Sequence, residues 1–247
     1  MSPLIKELRK KFKVKLCVTA QHREMLDEVL DIFKIKPSYD LNIMKKNQDL
    51  FYINSQIILN IKKILIKEKP SLVMVHGDTS TAFVSSLAAF YLNIPIAHVE
   101  AGLRTYNIRS PFPEEFNRQI IDKLSSVHFA PTKNAFENLL KEKINRKNIY
   151  ITGNTGIDSL LTSVKKIKKN KYQKKIIKKL PFLLKKESVK IILVTCHRRE
   201  NFDAGISNIC KALLEIAKNN SMIKIVFSVH PNPNILKPVG KILKDVK

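Results

Sequence analysis

Long apolar runs are missing from this 247-residue chain. A membrane-spanning helix needs about 20 consecutive apolar positions, so membrane insertion is not expected. The first residues, Met-Ser-Pro-Leu-Ile-Lys, lack a signal-peptide pattern. Cysteine is scarce: Cys17, Cys196 and Cys210 are widely spaced and odd in number. They build neither a disulfide framework nor a metal-ligand spacing, and they fit a reducing cytoplasm. The phosphate-cradling P-loop is absent, as are GxGxxG and GxSxG, which removes support for a nucleotide hydrolase, a dehydrogenase or a serine esterase. Without HExxH or CxxC, a metal enzyme finds no support.

Positive charge, by contrast, is abundant: 45 Lys and Arg against 21 Asp and Glu, a formal net charge of +24. Such an excess raises the question of nucleic acid or an anionic membrane surface. No aromatic-interleaved basic motif, RNP pattern or zinc knuckle accompanies it, and no nucleic-acid partner is expected. Much of the excess lies between Lys165 and Lys186, in a stretch that opens KKIKKNKYQKKIIKKL. Ile167, Ile176, Ile177 and Leu180 make that stretch amphipathic, the pattern of a solvated connecting helix or helix pair. Lysine outnumbers arginine, and Ile and Asn are plentiful, as in an AT-rich coding sequence. Hydrophobic residues make up 44 % of the chain, enough for a globular protein with a real core.

Apolar runs alternate with segments of helical spacing along the whole sequence, which argues for parallel sheets. Strands are expected at 14–20, 73–75, 94–97, 127–132 and 149–152. Helices are expected through Met25 to Phe33, from Phe51 to Lys67, over Phe83, Leu87 and Phe90, from Pro113 onward and from Asn134 to Lys143. A second alternating unit starts at Lys190, with strands at 190–195 and 223–229 around a helix marked by Ile206, Ile209, Leu213 and Ile216. The expected organisation is one domain over 1–163, a lysine-rich connector over 164–187 and a second domain from 188 to 247. Two strands cannot close a doubly wound core, and the first domain starts on a helix rather than a strand. The chain is therefore expected to be truncated at both ends.

Chemistry-bearing residues collect where strands end, the place at which parallel sheets bind ligands. Asp78 follows one strand, His98 and Glu100 another, and Glu114 and Glu115 open a helix after Pro113. Taken singly, Asp78 reads as a helix cap and the two glutamates as partners of the helix dipole. Several carboxylates and histidines at adjacent strand ends read as a concave site. His197-Arg198-Arg199 at a later strand end offers bidentate anion contacts and a titratable proton carrier. Carboxylates and histidine facing an anion site point to acid–base chemistry on a phosphorylated or nucleotide-linked substrate.

At those residues the sequence resembles the non-hydrolysing UDP-N-acetylglucosamine 2-epimerases. TAQHREML at 19–26, VHGDTST at 75–81, HVEAGLRT at 98–105, SPFPEEFNR at 110–118, ITGNTGID at 151–158, HRREN at 197–201 and VHPNPN at 229–234 carry the resemblance. They occur in the family's order and cover essentially the whole chain. The resemblance implies an α/β, GT-B-like fold of two doubly wound, Rossmann-like parallel-sheet domains, the second incomplete here. It implies a cytoplasmic isomerase that interconverts UDP-N-acetylglucosamine and UDP-N-acetylmannosamine for surface polysaccharide precursors. The mechanism it implies removes the C2 proton and expels UDP to give a 2-acetamidoglucal, then returns UDP and, on the opposite face, the proton, with no nicotinamide or metal cofactor.

By motif position the resemblance assigns catalysis to Asp78, Glu100, Glu114 and His197, and substrate contact to Arg104 and Arg198. A second, activating UDP-N-acetylglucosamine would meet Gln21, Glu114, Arg198 and His230, although Glu24 replaces a glutamine and Asn47 an arginine of that set. Cys196 stands where Gly or Ala is common. The family's opening GTRPE loop and its later SGGxQEE stretch are not in this sequence. The resemblance also implies a homodimer. A catalytically inactive sugar-nucleotide-binding fragment, a hydrolysing 2-epimerase, a glycosyltransferase of the same fold and a basic nucleic-acid-binding protein are the alternatives.

Overall fold

The computed structural model describes residues 1–20, 23–45, 48–168, 177–178, 190–196, 204–229 and 233–244. The chain divides into two compact units, Met1–Lys169 and Asn170–Lys247. The first opens with helix α1 (Ser2–Leu8), strand β1 (Cys17–Val18), helix α2 (Arg23–Phe33) and strand β2 (Tyr39–Asp40). The strand expected over 14–20 is reduced to Cys17 and Val18, which pair in parallel with Tyr39 and Asp40. Ala20, at φ +54°, leaves the extended region and ends it.

Helix α3 (Leu50–Glu68) follows, capped by Asp49, whose carboxylate accepts from the Tyr52 amide. Ile53, Ile57, Ile61 and Leu65 recur every four residues and form its buried stripe. Strands β3 (Val73–His76), β4 (Ile96–Val99), β5 (Val127–Ala130) and β6 (Ile149–Ile151) then build one parallel sheet in sequential order. Between them run α4 (Ser80–Tyr91), α5 (Glu114–Leu124) and α6 (Lys133–Lys141), and α7 (Thr155–Ile167) follows β6. The α3 stripe packs with Val75, Ile96 and Ile121 in the main core. Ile57 is fully buried, and its transfer out of water is worth about 1.5–3 kcal/mol.

Helix α4 departs from the apolar face read in the sequence. Its buried residues are Ser80, Ala82, Val84, Ser85, Ser86, Ala88 and Ala89, whereas Phe90 is exposed. Small side chains let α4 lie close to its neighbours, and Ser86 satisfies its hydroxyl on the Ala82 carbonyl within the helix. Strand β4 is buried at all four positions, as a central parallel strand must be.

In the second unit β7 (Lys190–Cys196) and β8 (Ile223–Val229) pair in parallel over their full length, from Lys190 beside Ile223 to Cys196 beside Val229. Helices α8 (Ala204–Asn219) and α9 (Pro233–Ile242) accompany them. Cys196, Ile206, Cys210 and Ile235 form its buried cluster. Of the connector expected over 164–187, residues 164–167 continue α7 and 177–178 are helical; apart from Lys168 the rest lies outside the described residues.

Candidate active site

The parallel register of β3 and β4 sets His76 beside Val99, so both strands end at the same level. The Gly77 amide donates to the Val99 carbonyl at 2.9 Å, and the Glu100 amide donates to the Phe129 carbonyl at 3.0 Å. Both turning residues take left-handed backbone, Gly77 at φ +67° and Glu100 at φ +72°. For glutamate that conformation is strained, and strain of this kind gathers at functional sites. A Cβ on residue 77 would stand 3.2 Å from Glu100 Oε2, so the glycine serves both its own turn and the space of its neighbour.

The Glu100 carboxylate is held from two sides. Asn154 Nδ2 donates to Oε1 at 3.0 Å, and His76 Nε2 lies 3.7 Å from Oε2. Burial, the Met1 amino group and the charge on His98 depress the pKa of His76 against the pull of Glu100. The Glu100 side chain is 27 % exposed, open enough to meet a ligand.

Asp78 lies in the turn after β3. Thr79, not Asp78, caps α4 by accepting from the Ala82 amide at 3.2 Å, which leaves the Asp78 carboxylate free of that duty. Asn117 Nδ2 donates to the Asp78 carbonyl at 2.8 Å, and Arg118 Nη2 lies 3.3 Å from Oδ2. Burial nevertheless pushes the carboxyl above the usual range, assisted by the nearby charges of Glu114 and Glu100 and opposed by Arg118. Asp78, Glu100 and Glu114 thus share one electrostatic neighbourhood. A carboxyl raised by burial in this way, with a second carboxylate at the neighbouring strand end, is an arrangement suited to acid–base work.

Glu115 is more than a helix-dipole partner. It is fully buried and accepts from the amides of Thr105 and Tyr106, both at 3.0 Å, and from Gln119 at 2.8 Å. Burial alone would raise its pKa, but these donors and Arg118 pull it below the ordinary value. It staples the 105–106 loop to the start of α5, in the stretch that contains the cis Ser110–Pro111 and Phe112–Pro113 bonds.

Arg104 was expected to touch substrate. Its side chain is shut off from solvent, 2.8 Å from Asp122 and 2.6 Å from Glu142. Burial disfavours its charge, yet the two carboxylates hold the guanidinium firmly protonated. Its guanidinium is committed to the protein interior, so a direct substrate contact finds no open group here. Asp122 in turn takes His98 Nδ1 at 2.6 Å and the Gly102 amide at 3.1 Å.

Gln21, His197, Arg198 and His230 lie outside the described residues, as does Asn47; of the proposed activator contacts, Glu114 alone is described. Among the described residues no cluster of His, Cys, Asp and Glu is arranged to hold a metal ion, and no helix is long and apolar enough to cross a membrane. Sequence reasoning passed over Asn117, Arg118, Asn154 and Asp122. The first two stand in SPFPEEFNR and the third in ITGNTGID, but their partners are far away in sequence, and nothing local announces them.

Comparison with known proteins converges on one family. Residues 6–247 match the family model described as UDP-N-acetylglucosamine 2-epimerase. The chain is 53 % identical over 250 residues to the UDP-N-acetylglucosamine 2-epimerase of Campylobacter jejuni, covering 100 % of this chain and 65 % of the relative. It is 49 % identical to that of Neisseria meningitidis serogroup A, with 100 % and 66 % covered. The crystal structure of the Neisseria meningitidis enzyme bound to UDP-GlcNAc superposes with a TM-score of 0.95 at 48 % identity, over 100 % of this chain and 67 % of that one. The Methanocaldococcus jannaschii enzyme in complex with UDP-GlcNAc and UDP gives 0.80 at 34 %, over 99 % and 64 %. The α/β fold of parallel sheets is GT-B-like, as in these neighbours. The chain spans about two thirds of the length of the curated relatives it matches, 65 % and 66 % for the two above.

Proposed function

The chain belongs to the UDP-N-acetylglucosamine 2-epimerase family, and from that premise we propose that it is an isomerase interconverting UDP-N-acetylglucosamine and UDP-N-acetylmannosamine. The supporting observation is the pairing of Glu100 with Asp78. Inversion at C2 through elimination needs one group that takes a proton and another that returns one from the opposite face. Glu100, held by Asn154 and His76, accepts the C2 proton. Asp78, whose pKa burial raises, returns one to the intermediate. In the reverse direction the two exchange roles. Glu114 shares their neighbourhood and keeps Asp78 raised.

The family resemblance assigns His197 and Arg198 to the departing diphosphate, whose expulsion positive charge assists. A second UDP-N-acetylglucosamine near Gln21, Glu114, Arg198 and His230, a homodimeric assembly and a cytoplasmic setting belong to the same proposal and rest on the family resemblance.

The test is proton NMR in D2O with UDP-N-acetylglucosamine. The expected result is deuterium at C2 together with UDP-N-acetylmannosamine, both lost in Glu100→Gln and Asp78→Asn. A folded wild-type chain that leaves C2 unexchanged overturns the reading.

A further inference from the structure

His98 lies on β4 directly behind the Glu100 turn, and its side chain has no exposure to solvent. Both of its ring nitrogens face oxygens that only accept. Nδ1 is 2.6 Å from Asp122 Oδ1, and Nε2 is 2.9 Å from the Gly77 carbonyl oxygen. A carbonyl cannot donate, so Nε2 carries a proton. Asp122 is ionised, because its other oxygen already receives the Gly102 amide and the Arg104 guanidinium, so Nδ1 carries one too. A neutral ring would set a bare lone pair against one of these oxygens in a water-free interior, an arrangement buried polar groups avoid.

We propose that His98 is a fixed imidazolium that positions the active-site turn, gripping the Gly77 carbonyl with one N–H and the Asp122 carboxylate with the other. Every element around it agrees. From α5, Asp122 supplies the anion. From the loop after β4, Arg104 meets the same carboxylate, and Glu142 at the end of α6 balances Arg104. Lys123 reaches the Glu142 carbonyl at 3.0 Å. From β5, His128 stands opposite His98 in the sheet register and donates Nε2–H to the Asp122 carbonyl at 2.8 Å. Among the described residues its Nδ1 has no hydrogen-bond partner, as in a neutral ring. The two histidines therefore hold one aspartate by its side chain and its backbone, and only His98 is charged. That charge is also felt by His76, whose pKa it helps to lower.

The consequence for the site is mechanical. Gly77 joins His76 to Asp78 and stands against Glu100 Oε2. Holding its carbonyl from behind orients the peptide that leads into Asp78 and borders Glu100. His98 touches neither substrate nor reacting atoms; it is a positioning residue, and its catalytic consequence rests on the epimerase reading above.

The experiment is heteronuclear NMR on the ligand-free, isotope-labelled full chain. Long-range ring correlations are expected to show protons on both nitrogens of His98 and on Nε2 alone of His128. A bare nitrogen on His98 overturns the proposal. In Asp122→Asn the His98 ring is expected to fall to a single N–H. The Gly77 carbonyl and Glu100 amide resonances are expected to move, while Glu137→Gln on the exposed face of α6 leaves them in place. Unmoved resonances in folded Asp122→Asn remove the positioning role. If Asp122→Asn does not fold, His98→Asn is read in the same way, and the wild-type ring count decides regardless. In the exchange assay kcat should fall about tenfold to a hundredfold at unchanged KM, the effect of one lost charge-assisted hydrogen bond. A raised KM with unchanged kcat counts against positioning. A wild-type chain without exchange counts against the epimerase reading alone, because the ring protons and the resonance shifts are read without substrate.

Discussion

Asn154 ties Glu100 to the start of α7: its Nδ2 donates to Glu100 Oε1 at 3.0 Å while its Oδ1 accepts from the Gly156 amide at 2.7 Å. A single amide side chain therefore caps a helix and orients a carboxylate 54 residues away. The two duties can be separated. Asn154→Asp keeps an acceptor for the cap but sets a second carboxylate against Glu100. The expected outcome is a melting temperature close to wild type with C2 exchange lost. Asn154→Ala loses both, and the missing cap costs about 1 kcal/mol. Calorimetry paired with the exchange assay checks this; an Asp variant that exchanges at the wild-type rate would show that Glu100 does not depend on Asn154.

Gly77 and Gly102 both take left-handed backbone, yet their surroundings rank them differently. At Gly77 (φ +67°) a new Cβ meets the end of the Glu100 side chain at 3.2 Å. At Gly102 (φ +84°) it falls 2.2 Å from the Ala135 carbonyl oxygen, which is backbone and cannot yield. Gly77→Ala should fold, with a loss of about 1–2 kcal/mol from the left-handed conformation, and be catalytically impaired. Gly102→Ala should not yield folded protein. Denaturant titration of both variants measures the ranking, and equal stabilities would refute it.

Burial, then the charges of Glu114 and Glu100, hold the Asp78 carboxyl above its ordinary range in spite of Arg118. The folded chain thus binds this proton more tightly than the unfolded chain. Stability from this group is present at acid pH and declines as pH rises from the unfolded value through the raised folded one. Asp78→Asn should therefore melt higher than wild type at neutral pH, the gain shrinking toward acid pH, while exchange is abolished. Thermal melts across pH give the sign directly, and a variant that melts lower at neutral pH contradicts it.

Glu115 and Asp122 act in the opposite sense. Against the cost of burial, Gln119 and the Thr105 and Tyr106 amides depress Glu115, and His98 and Arg104 depress Asp122. Their contribution is complete above the unfolded carboxylate range, near pH 4, and is lost as pH falls below it through the depressed folded values. Glu115→Gln keeps one oxygen for two loop amides, so stability at neutral pH should drop by about 1–3 kcal/mol. The gap to wild type should narrow in acid. Urea unfolding followed by circular dichroism over a pH series checks both limbs.

Much of this molecule is written in short-range pattern. The every-fourth-residue isoleucines of α3, the four buried positions of β4 and the capping side chains of Asp49 and Thr132 depend on neighbours within one or two turns. Asp78 and Glu100 were legible as strand-end carboxylates because alternating apolar runs reveal where parallel strands stop, and the order of the motifs was enough to indicate the family. Other features were settled by groups brought in from far along the chain. Thr79 rather than Asp78 caps α4, and Phe90 faces solvent while Ser86 is buried, because the neighbouring helices leave room only for small side chains. Arg104 and His98 sit in motifs that suggest a site, yet both turn inward, since Asp122 and Glu142 come from later helices. Burial and charge pairing follow from distance in space. The sequence therefore marked which polar residues gather at the strand ends, and the packing of α5 and α6 against the sheet decided which of them stay open and which are turned inward to hold the others in place.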